Sequence, residues 1–101
     1  MVSRAAVGED NSHGRAYLKD GLRSTHRSVR YWNAEIAANF PTEELIADLS
    51  MLLSESDQDI RAAAVIALGQ IKSEASKKAL VNALKTETSD HIRSLARRYV
   101  A

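Results

Sequence analysis

Asp57-Gln-Asp-Ile-Arg-Ala-Ala-Ala-Val-Ile-Ala-Leu-Gly69 returns 32 residues later as Ser89-Asp-His-Ile-Arg-Ser-Leu-Ala-Arg-Arg-Tyr-Val-Ala101. A step of 31 in the other direction sets Val29-Arg30 on Ile60-Arg61, and aligns Leu49 with Leu80 and Leu53 with Leu84; one step further back reaches Leu18 and Leu22. A period of this length marks a supersecondary unit that cannot seal its apolar face alone and stacks on its neighbours. The frame therefore implies a solenoid, a fold that usually works as an extended surface.

Within each period the apolar residues recur at helical spacing and nowhere alternate as in a strand. The spacing predicts helices over about Ser12 to Arg23 and Ser28 to Asn39, the second stopped by Pro41. Thr42 caps a third, with Glu43 and Glu44 in its first turn where the helix dipole favours acids. The fourth starts behind Asp57 or Asp59 and runs to Gly69, the fifth follows the turn at Lys72 and Ser73, and the sixth starts near Ser89. Expected inward residues are Val29, Trp32, Ile36, Ala37 and Phe40 in the second helix, Leu45, Leu49, Leu52 and Leu53 in the third, and Ile60, Ala63, Ala64, Ala67 and Leu68 in the fourth. The expected architecture is all-α, a short αα solenoid of about three repeats and five to six helices.

Composition narrows the function classes. The 101 residues suit one domain, and a net charge of +1 gives no global case for nucleic acid or an anionic membrane. The distribution says more. Residues 1–41 carry six basic and four acidic side chains, 42–71 one and six, and 72–101 seven and three, so the layers alternate at +2, −5 and +4. Without cysteine there is no disulfide or thiolate metal site. Neither a secretory signal nor an apolar run of roughly 18 residues is present, so a cytoplasmic protein is expected. Residues 1–11 are expected to be a partly disordered segment or the remnant of a first helix, with the repeat domain over 12–101.

The pattern Asp-x-x-Ile-Arg-x-Ala-Ala-x-x-Ala-Leu-Gly, followed by a helix with paired leucines, resembles HEAT repeats of the phycobilisome-lyase type, best over residues 57–84. Arg27-Ser-Val-Arg-Tyr-Trp and Asp90-His-Ile-Arg-Ser-Leu-Ala are weaker copies. The resemblance implies a HEAT-like superhelix. It also implies an interlayer ladder of Arg30, Arg61 and Arg93, with Asp57 or Asp59 and Asp90 as acidic partners.

Catalytic signals are absent. There is no Gly-rich phosphate loop and no Gly-x-Ser-x-Gly elbow; His13, His26 and His91 lie too far apart in sequence for a helical metal pair, and no His-Glu dipeptide occurs. No metal, cofactor or small-molecule substrate is expected. The candidate binding residues lie on the second helices of the layers, whose outward positions include Arg15, Lys19 and Arg23, then Ile46, then Lys77, Lys78, Val81 and Lys85. Tyr31, beside Arg27 and Arg30 and off the inward stripe, is a candidate interface anchor, because tyrosine and arginine are enriched in hot spots. The sequence thus points to a non-catalytic scaffold for a partner protein with an acidic surface, one form being an immunity-type inhibitor. An accessory subunit of a bilin lyase, a nucleic-acid-binding module and a module of a larger solenoid are the alternatives; the acidic middle layer argues against nucleic acid.

Overall fold

Capping chemistry and the left-handed turn at Lys72 divide the chain into helices. The computed structural model describes residues 12–101, with side chains from residue 16 onward. The helices are α1 (Ser12–Leu22), α2 (Arg27–Ala37), α3 (Ile46–Leu52, entered through a 3-10 turn, Glu43–Leu45), α4 (Gln58–Ile71), α5 (Glu74–Leu84) and α6 (Asp90–Val100). No strand occurs among the described residues. The expectation for residues 1–11 lies outside them.

The starts of α4, α5, α6 and the 3-10 turn are fixed by side chains that accept otherwise unpaired amides. Asp57 Oδ1 accepts from Asp59 N and Ile60 N at 2.8 and 3.3 Å. Ser73 and Ser76 form a reciprocal capping box, and Ser89 Oγ accepts from Ile92 N at 3.3 Å. Thr42 caps the 3-10 turn. Between α4 and α5 the chain reverses in two residues, the cap Ser73 and Lys72, whose φ of 57° and ψ of 37° are left-handed.

Helices α2, α4 and α6 form one row and α1, α3 and α5 the other, giving a slab with extents of 46 × 29 × 17 Å. Leu18 and Leu22, Leu45, Leu49 and Leu52, Ile60 and Leu68, Leu80 and Ile92 are buried between the rows. Each contributes about 1.5–3 kcal/mol by leaving water. Leu53 and Leu84 are half-buried at the margin. Gly69 lies where a Cβ would strike the Tyr99 ring, so its bare backbone lets α6 close on α4.

The second helix departs from expectation. Of its five predicted inward residues only Ala37 is buried, while Val29, Trp32, Ile36 and Phe40 are exposed, Trp32 by 61% and Phe40 by 62%. At about 100° per residue Val29, Trp32 and Ile36 lie roughly opposite the buried Ala34, and Phe40 follows in the turn after the helix. Their counterparts in α4 are Ile60, Ala63 and Ala67, all sealed, and the half-buried Ile71. The same register therefore faces the preceding layer in both helices. In α4 that layer is α2; in α2 no described residue covers the flank.

Candidate functional site

The recurrent arginines are committed inside the stack. Arg61 Nε and Nη2 each donate to Glu87 at 3.0 Å, and its Nη1 donates to the Glu55 carbonyl at 2.8 Å. Arg30 repeats the arrangement one layer earlier. Its Nη2 donates to Glu55 Oε1 at 3.0 Å and its Nη1 to the Ser24 carbonyl at 3.0 Å. Its Nε lies 2.9 Å from Glu55 Oε2 but makes no directed bond. Arg93 donates to the carbonyls of Leu84 and Glu87 at 2.7 and 3.2 Å. Each arginine thus ties the turn before its own helix, and the first two also reach a carboxylate in the turn between the two helices of the next layer.

The acidic partners differ from those implied by the resemblance. Arg30 and Arg61 meet Glu55 and Glu87, not Asp57, Asp59 or Asp90. The reason is local: Asp57 is occupied as a helix cap and joins the layers through another cation, Arg27, which also lies 3.5 Å from Asp59 Oδ2. Asp90 is exposed in the first turn of α6. Burial pushes the Glu87 carboxyl up, but the hydrogen bonds from Arg61 and the Ser89 amide, with the Arg61 charge, outweigh it and hold it below the ordinary glutamate value. The Arg27 hydrogen bond likewise leads the lowering of Asp57.

The candidate binding residues fall into two groups. Lys77, Lys78, Val81 and Lys85 share a shallow depression of about 750 Å3 along α5, completed by Glu74, Asn82 and Val100. Lys77 also borders a smaller hollow of about 250 Å3 that holds Lys72, Arg98 and Tyr99. The helical spacing of residues 74, 78, 81 and 85 puts them along one side of α5. None of Lys77, Lys78 or Lys85 forms an ion pair with a described residue.

The other candidates lie apart from this depression. Arg23 Nε donates to Asp48 Oδ1 at 2.8 Å, tying α1 to α3, and Asp48 is buried with its Oδ2 unbonded among the described residues. Lys19 is half-buried on α1, and Ile46 is half-buried at the start of α3. Arg15 lies in α1, before the side chains that the structure describes. Tyr31 is half-buried on α2, its ring edge-on to Trp32 at 5.3 Å, and Glu35, by its charge first, raises the phenol. Among the described residues no group of His, Asp and Glu side chains is arranged to hold a metal ion, and no helix is long and apolar enough to cross a membrane.

Repeated helix pairs, arginines bonded across layers and a continuous leucine core identify the architecture, and the family described as HEAT repeats matches residues 16–101. The chain is a HEAT-repeat protein. No curated protein and no solved structure is similar to it at a significant level.

HEAT repeats generally serve as scaffolds for protein–protein interaction and are typically non-catalytic. In this HEAT-repeat protein the most basic surface gathers on the third layer, where sequence spacing finds the α5 lysines but misses Lys72 and Arg98. Lys72 joins them because of its left-handed turn, and Arg98 because α6 closes over Gly69. The +4 charge of residues 72–101 is the one sequence signal that includes both.

Proposed function

We propose that this HEAT-repeat protein is a non-catalytic, cytoplasmic scaffold that holds an acidic partner protein against its third layer, as an immunity-type inhibitor would by covering its target. The observation that carries this is the depression where Lys77, Lys78 and Lys85 surround Val81 and Val100. An apolar floor with an unpaired cationic rim suits a protein surface carrying carboxylates around an apolar contact. Its shallow shape favours a broad partner over a small molecule, which needs an enclosing cleft.

Capture from the native cell, with mass spectrometry of what stays bound, supplies the partner. The expected complex is 1:1 per chain and buries about 1,200–2,000 Å2. Lys77→Glu with Lys85→Glu should weaken it at least about tenfold, and added salt should slow association with the unaltered protein. Equal affinity for the double variant would remove the interface from the third layer.

A further inference from the structure

The first layer carries an apolar surface that no other described residue covers. Tyr17, Val29, Trp32, Ile36 and Phe40 are exposed by 76, 37, 61, 43 and 62%. Tyr17 stands in α1 where α3 has the buried Asp48, so it looks outward on the same flank as the α2 residues. The stack itself points to what this flank accepts. Inside the molecule, the equivalent face of α4 is covered by α2, a helix of the same row. The far flank of the stack is unlike it: the register of Ala34 and Val65, buried in the first two layers, holds the exposed Arg97 in α6. The far flank is thus cationic at a position where the first flank is apolar. Pairing two first-layer flanks matches apolar surface with apolar surface, which head-to-tail stacking does not.

We propose that two copies of this chain pair through their first layers, α2 against α2 across a twofold axis near Trp32 and Ile36. A twofold contact brings the same patch to itself, which suits a surface that is apolar at its centre. Three aromatic and two aliphatic side chains at these exposures offer roughly 600 Å2 per copy before any polar rim is counted. Both copies together then bury up to about 1,200 Å2, the lower edge of specific association, so pairing is reversible and concentration-dependent. The dimer keeps the two lysine-lined depressions at its outer ends, so pairing does not depend on the proposed partner.

Trp32 is the single tryptophan and reports the flank directly. Sedimentation equilibrium and tryptophan emission are followed together on the full chain over a dilution series. The expected result is a mass that rises from 11.1 kDa toward twice that value, with emission moving to the blue over the same concentrations. Ile36→Asp, and independently Phe40→Asp, should hold the protein at 11.1 kDa with red emission while its helical circular dichroism is unchanged. A monomer with red emission at every concentration would overturn the proposal and leave the flank to a different protein. A monomer with blue emission throughout would overturn it in favour of a segment of the chain itself. A dimer untouched by both variants would place the contact elsewhere and overturn it equally.

Discussion

Helices α2 and α4 occupy the same place in successive layers, yet Val29, Trp32 and Ile36 are exposed while Ile60, Ala63 and Ala67 are sealed. The residue types even run against the outcome, since the open flank carries the tryptophan and the sealed one two alanines. Register decides which direction a side chain takes; the presence of a neighbouring layer decides whether that direction is wet. The small residues of α4 let α2 approach closely on one side, and Gly69 lets α6 do so on the other. Helix α2 has such a neighbour on only one side among the described residues.

The largest effect that separates the two helices is a core truncation. Ile60→Ala should cost about 2–5 kcal/mol in urea unfolding, because a fully covered side chain leaves a cavity between layers. Val29→Ala, the same position one layer earlier, should stay within about 1 kcal/mol, and equal losses would show that the two flanks are alike. Next comes the ladder. Glu87→Gln should cost about 1.5–3 kcal/mol, since Arg61 loses its charged acceptor while its side chain is 12% exposed. Arg27→Ala, removing a pair whose arginine side chain is 52% exposed, should cost less.

The same carboxylate sets an acid dependence. Glu87 titrates below its ordinary value in the folded protein, so its contribution is complete above about pH 4.3 and fades as the pH falls through the lower folded value. Unfolding midpoints of the unaltered protein should therefore drop toward acid more steeply than those of Glu87→Gln; parallel curves would exclude Glu87 as the cause. The smallest effect is expected at Asp48, which is buried with one oxygen unbonded. Asp48→Ala, the residue found at this register in α5 as Ala79, should leave the midpoint unchanged or raise it, because the Arg23 it strands is 62% exposed and returns to water. A large loss would show that Arg23 and Asp48 hold α1 to α3.

The stack was legible because Ile60-Arg61 and its copies repeat every 31 or 32 residues, and the caps because Asp57, Ser73 and Ser89 each precede an apolar-periodic run. Glu55 and Glu87 were hidden by lying outside the helices, although they too stand 32 residues apart; the frame contains them, but helical periodicity does not single them out. The exposure of Trp32 and Phe40 was not legible, because periodicity sees a stripe and not what faces it. Of the candidate surface, the lysines of α5 could be grouped by spacing along one helix. Their company with Val100, Lys72 and Arg98 depends on how α6 closes, a long-range contact that no local pattern encodes.

Residue-resolved amide hydrogen exchange at low protein concentration measures the covered and uncovered helices side by side. Central amides of α4, packed between α2 and α6, should exchange only through global unfolding, whereas those of α2 should open with a distinctly smaller free energy. Equal protection of α2 and α4 in the dilute monomer, or rapid exchange throughout α4, would contradict a stack in which neighbouring layers determine what is sealed.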